Sequence, residues 1–125
     1  MHMAHKLQYD PDSDVIVIYH SGDVSLDEIF SSSEEAWQLA ESNNCTRFLS
    51  VFLDANFSLT ADQVLEVHKH LGEIGVSKDI RLAVLIPTSG ALNLEVQIFE
   101  FAAGTDGWRV AMFYNRDEAL DWLSS

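Results

Sequence analysis

At 125 residues, 47% of them hydrophobic and 22% charged, the chain is long enough for one domain with its own core and too apolar for a disordered segment. Twenty acidic residues stand against seven Lys plus Arg, a formal charge of −13. That excess works against nucleic-acid binding, which needs Lys and Arg to displace phosphate counterions, and against anionic membrane surfaces. Cys45 is alone, so no intramolecular disulfide forms, which suits a reducing, cytoplasmic setting. No apolar signal core opens the sequence, and no stretch approaches the roughly 18 apolar residues of a membrane span. Two prolines, six glycines and no low-complexity tract leave no linker, so a single domain over 1–125 is expected.

The pattern from His5 to Tyr9 predicts a short strand, and Asp10-Pro11-Asp12-Ser13-Asp14 a turn in which proline presets the backbone. Val15-Ile16-Val17-Ile18-Tyr19 is a β-branched run, so the pair reads as a hairpin. Ser25-Leu26-Asp27-Glu28 is a capping box. The helix it opens puts Leu26, Ile29, Phe30, Ser33, Trp37 and Ala40 on one face and carboxylates on the other, and Asn43-Asn44 ends it. Between Leu7 and Thr46 there is no Lys or Arg, while nine Asp and Glu fall there. This stretch reads either as a solvated face or as a docking surface for a basic partner.

Phe48 to Leu53 is a nearly all-apolar third strand, the kind buried on both faces. Thr60-Ala61-Asp62-Gln63 is a second capping box, followed by a stripe of Val64, Leu65, His68 and Leu71; Gly72 or Gly75 closes that helix. Leu82 to Ile86 is a fourth strand, stopped by Pro87. Gly90 to Ala103 fits both an alternating strand and a helix; its length favours the helix, with Gly104 as a cap. Val110 to Tyr114 is a fifth strand, and Asn115-Arg116-Asp117-Glu118 opens a last helix. Trp37, Leu53, Leu65, Leu85, Phe113 and Trp122 are expected in the core.

The order β-β-α-β-α-β-α-β-α predicts an α/β fold: a mixed five-strand sheet with an N-terminal β-hairpin, largely parallel, with four helices over both faces. In such a sheet the C-terminal strand ends and the following helix N-termini share one edge, where ligands bind by preference. Three loops are expected there: Asp54 to Thr60, Pro87 to Gly90, and Tyr114 to Arg116. Candidate binding residues are Asp54, Asn56, Phe57, Ser58, Thr60, Thr88, Ser89 and Asn115; the competing reading is that Thr60, Ser89 and Asn115 only cap helices. On the opposite edge Arg47, Arg81 and Arg109 each precede a strand, beside helix C-termini that favour a cation by about 0.3–1 kcal/mol.

No catalytic set assembles. There is no G-x-S-x-G elbow, phosphate loop or dinucleotide fingerprint. His68 lies on an apolar stripe, and His68 and His70 sit on different helix faces, so they do not chelate one metal. No catalytic residue, metal site or cofactor is assigned.

Taken together, the hairpin, Gly22-Asp23-Val24-Ser25-Leu26-Asp27-Glu28-Ile29, Phe48-Leu49-Ser50-Val51-Phe52-Leu53-Asp54, Arg81-Leu82-Ala83-Val84-Leu85-Ile86, Arg109-Val110-Ala111-Met112-Phe113-Tyr114 and Asp117-Glu118-Ala119-Leu120-Asp121-Trp122-Leu123 resemble the SpoIIAA-like family of small STAS-related bacterial proteins. The resemblance covers almost the whole chain, and the closing strand with Glu-Ala-Leu-x-Trp-Leu is its most distinctive part. It implies a STAS-like fold, a bacterial source and a non-enzymatic role. In antagonists of that fold a serine phosphorylated by a kinase partner follows the Asp that ends the third strand, in an Asp-Ser-Ser-Gly motif. Here only Asp54 carries over. Asn56 stands where the phosphorylated serine would be, and Ser58 comes two residues later. The expected role is a regulatory or adaptor module binding a protein partner around Asp54–Thr60. The alternative is a module binding a small apolar or anionic ligand at the same edge, with self-association left open.

Overall fold

The computed structural model describes residues 5–57, 59–88 and 92–125, with the backbone alone for Phe57, Leu92 and Asn93. Five strands and four helices follow one another as β1 (His5–Asp10), β2 (Val15–Val24), α1 (Leu26–Asn43), β3 (Arg47–Phe57), α2 (Ala61–Glu73), β4 (Arg81–Leu85), α3 (Leu92–Thr105), β5 (Arg109–Phe113) and α4 (Arg116–Ser124). Of the segment compatible with either strand or helix, Gly90 and Ala91 lie outside the described residues, and the rest, from Leu92, is the helix α3, as its length required.

The strands lie side by side in chain order, β1-β2-β3-β4-β5. β1 is antiparallel to β2, and β2 through β5 are parallel. The hairpin turn is held by Asp10, whose carboxylate accepts from the Asp12 backbone N–H at 3.1 Å and the Ser13 hydroxyl at 2.9 Å. Asp14 closes the turn at φ 56°. Each parallel crossover steps one strand onward in the same direction, so a common handedness places α1, α2 and α3 on one face. Among the described residues, α4 is the helix that covers the other.

The two faces follow from strand alternation. Ile16, Ile18, Phe48, Phe52 and Val84 pack toward α1–α3 with Ile29, Val64 and Val96. Val15, Val17, Leu49, Val51, Ala83 and Leu85 pack toward Ala119 and Leu123 of α4. Of the six expected core residues, Leu85 is buried, while Trp37, Phe113 and Trp122 are half-buried against these clusters.

Leu53 and Leu65 are not core residues: they are 48% and 36% exposed. β4 runs beside β3 only as far as Val51, and Leu53 lies past that point, at the register irregularity between β2 and β3. The buried stripe of α2 passes through Val64, His68 and Leu71, leaving Leu65 on its rim. Gly104 does not end α3 either. The helix continues to Thr105, and the chain reverses at Gly107, whose φ of 92° suits glycine. At the end of α2 the left-handed position is Gly75, at φ 89°, and α1 ends on Asn44 at φ 51°.

Arg81 behaves as its position predicts. Its guanidinium donates to the Trp122 carbonyl at 2.7 Å, at the C-terminal end of α4, and lies 5.6 Å from the Trp122 ring centroid. Arg47 instead faces the Asp14 carboxylate at 3.8 Å, and Arg109 is exposed on the edge strand β5.

Candidate functional site

The edge at the C-terminal ends of the parallel strands differs from its sequence reading in one respect. Asp54, Ala55 and Asn56 are not loop. They continue β3 and pair with Ser21, Gly22 and Asp23 of β2, and Phe57 pairs with Val24. The two strands therefore overrun the sheet as a parallel ribbon, beyond an irregularity between Tyr19 and Ser21. Asp, Asn and Gly are poor strand formers, so local propensity gave no sign of this extension; the pairing partner supplies it.

Asp54 and Asn56 are both exposed, and Ala55 between them is buried toward the helices. The ribbon thus presents Asp54 and Asn56 to solvent from one face, with exposed Asp23 beside Asn56 on β2. Thr60 caps α2 through a complete capping box. The Gln63 backbone N–H donates to its hydroxyl at 3.2 Å, and the Thr60 N–H donates to the Gln63 side chain at 2.9 Å. Asn115 caps α4, its side chain accepting from the Glu118 N–H at 3.1 Å. The side-chain oxygens of Thr60 and Asn115 are thereby engaged. Thr88 is exposed just past β4. Ser58 and Ser89 lie outside the described residues, as does the Phe57 side chain.

Thr60→Ala is expected to remove one half of a two-way cap and to cost about 0.5–2 kcal/mol. A chemical-denaturation midpoint checks it, and an unchanged midpoint contradicts it.

The edge is acidic. Asp23, Asp54, Asp62, Asp117 and Glu118 are all exposed there or in the first turns of the helices that start there, with Arg116 as a cation of the same edge. Leu53 in β3 just before the ribbon, Leu65 in α2, Leu94 in the first turn of α3 and Tyr114 after β5 add exposed apolar area toward it.

Elsewhere the titratable groups behave as packing elements. Burial raises the Cys45 thiol, which is 3% exposed and 3.3 Å from the Asp14 carbonyl. A hydrogen bond to Asp14 at 2.8 Å raises Tyr9. His68 is buried, 3.8 Å from Asp106, and His70 meets Glu34 at 3.1 Å while stacking on Phe30. Among the described residues no group of three or more His, Cys, Asp or Glu is placed to hold a metal ion, and no helix is long and apolar enough to cross a membrane.

No protein-family model matches the chain, and no curated protein matches it in sequence. Solved structures do share its architecture. An uncharacterized protein of the DUF3478 family from Shewanella loihica, with a SpoIIAA-like fold, aligns at a TM-score of 0.58 and 18% identity, over 96% of this chain and 92% of that one. The anti-sigma factor antagonist SpoIIAA in its unphosphorylated form aligns at 0.53 and 18%, over 98% and 99%. The Bacillus cell fate determinant SpoIIAA in the phosphorylated form aligns at 0.51 and 16%, over 95% and 98%. These likenesses define the class: a small α/β protein with a parallel sheet and an antiparallel leading strand. Within that class the chain has the SpoIIAA-like fold, as the resemblance read from its sequence implied.

Proposed function

We propose that the protein is a non-enzymatic regulatory or adaptor module of the cytoplasm that binds a protein partner through the edge formed by Asp54–Thr60. The observation that carries this reading is the β2–β3 ribbon. It holds Asp54 and Asn56 exposed on paired backbone, beside the capped start of α2 and a rim of exposed leucines. A paired ribbon presents side chains in a fixed geometry, which lowers the ordering cost of binding. The acidic character of the edge selects a partner with a basic surface and disfavours nucleic acid. The fold is shared with an anti-sigma factor antagonist, a protein named for acting on another protein, and that supports the same class of role.

Asn56 offers an amide donor and a carbonyl acceptor but no hydroxyl. Binding at this edge is therefore proposed to proceed without a phosphate switch at position 56. The test is affinity capture from the source cell with the wild type, with Asp54→Arg and Asn56→Arg, and with Glu41→Arg as a control on the exposed face of α1. The reading predicts a stoichiometric partner retained by Glu41→Arg, lost with both edge variants, and weakened as salt rises. A partner captured equally by all four proteins overturns it.

A further inference from the structure

Between the α1–α3 face of the sheet and those three helices lies a partly open cavity of about 90 Å³. On the same measure a single water needs about 10–15 Å³, so the space exceeds a solvent-sized packing defect. It is elongated: Phe48, Ser50 and Phe52 all line it, and four residues of strand span about 13 Å. Its walls are overwhelmingly apolar. Of the polar groups that reach it, Ser32 and Ser33 donate to the Ile29 carbonyl and are satisfied.

Two of the lining residues carry a buried polar atom with no hydrogen-bond partner among the described residues. His20 is 5% exposed, lies flat on Phe52 at 4.3 Å, and its Nδ1 is buried without a hydrogen-bond partner among the described residues. Glu95 Oε1, in the first turn of α3, is likewise buried and unpartnered. Buried polar atoms are normally hydrogen-bonded, so cavity-lining residues that carry unpaired ones mark where a ligand's polar end goes. Both belong to the end near the C-terminal strand edge, since His20 comes late in β2 and α3 starts after β4. Among the described residues lining the cavity, Glu95 is the one charged side chain, and it is an acid.

We infer that this cavity is a binding site for an uncharged amphiphile: an elongated apolar body with a hydroxyl-type head that donates to Glu95 and accepts from or donates to His20. Burial, and to a lesser degree the nearby His5, push His20 down to about 4, so it is neutral at physiological pH and offers no cation to an anionic head. Glu95 repels one. The chemistry thus separates two ligand classes the sequence left together, favouring the apolar and rejecting the anionic. The site does not depend on a protein partner at the edge.

The experiment compares 1-octanol with octanoate, which share an alkyl chain length and differ in head charge, on the full chain at pH 7.5. Tryptophan fluorescence is one readout, because Trp37 lines the cavity; the thermal midpoint is the other, because a ligand of the native state raises it. Saturable 1:1 binding of octanol is expected, with octanoate at least tenfold weaker. Ser50→Leu from the sheet and Ala36→Leu from α1 each fill the cavity and are expected to weaken octanol at least tenfold. Absent or unsaturable octanol binding, equal binding of octanoate, or undiminished binding by either folded variant overturns the site. Should both variants fail to fold, methyl chemical-shift mapping on the wild type decides. Shifts at Ile18, Val64 and Val84 support the site, and shifts confined to surface methyls overturn it.

Discussion

Replacing Leu85 by alanine is expected to lower the free energy of unfolding by about 2–5 kcal/mol, a large share of the 5–15 kcal/mol typical of a domain. Leu85 is 2% exposed, sits between Val51 of β3 and Phe113 of β5, and packs toward Ala119 and Leu123 of α4. Its removal leaves a hole in the smaller of the two cores, which a single short helix has little freedom to close. The contrast is Leu53→Ala in β3. Leu53 is half exposed beyond β4, so its truncation is expected to stay within about 0.5 kcal/mol. Urea denaturation of the two variants checks the pair. A Leu85→Ala midpoint close to the wild type, or a Leu53→Ala loss as large as that of Leu85→Ala, contradicts the arrangement of the two faces.

The second large effect is a dependence on pH that belongs to His20. In the unfolded chain this histidine takes up a proton near 6.5, whereas burial delays that in the native state to about 4. Between those values the unfolded state binds more protons, so stability rises with pH and is lost as pH falls through the window. The shift corresponds to a loss of about 3 kcal/mol between pH 7 and pH 4. His20→Phe keeps an aromatic ring against Phe52 and removes the titration, so it is expected to flatten the profile by that amount. The carboxylates titrate in both proteins and cancel in the difference. Parallel stability curves for wild type and His20→Phe over this range contradict a neutral, buried His20.

Most of the fold was legible because each element carried its own period. The β-branched run at Val15–Tyr19, the apolar run at Phe48–Leu53 and the three capping residues Ser25, Thr60 and Asn115 appear where local chemistry put them. Two features were not legible, for different reasons. The continuation of β3 through Asp54, Ala55 and Asn56 exists because β2 also runs on, through Ser21, Gly22 and Asp23. Neither segment favours strand alone, and their pairing is a tertiary fact. The cavity is hidden more deeply. Its walls come from β2, α1, β3, α2, β4 and α3, and nearly every lining residue reads correctly as core. That those cores do not quite meet is a property of packing distance, which no single stripe reports. The traces available in the sequence were small or polar residues at inward positions, namely Ser32, Ser50 and His20, all of them buried. The exposed Leu53 and Leu65 were misread because an apolar period gives a side chain's direction but not how far the covering element extends.

The β2–β3 ribbon is the proposed place where a protein partner docks. Hydrogen exchange on the captured complex, set against the free protein, tests this most directly. The predicted result is slowed exchange at the ends of β2 and β3 and in the first turn of α2, around Gly22–Val24, Asp54–Asn56 and Ala61–Gln63, with α4 unchanged. Slowed exchange confined to α4, or a complex that leaves these segments as exposed as in the free chain, would contradict it.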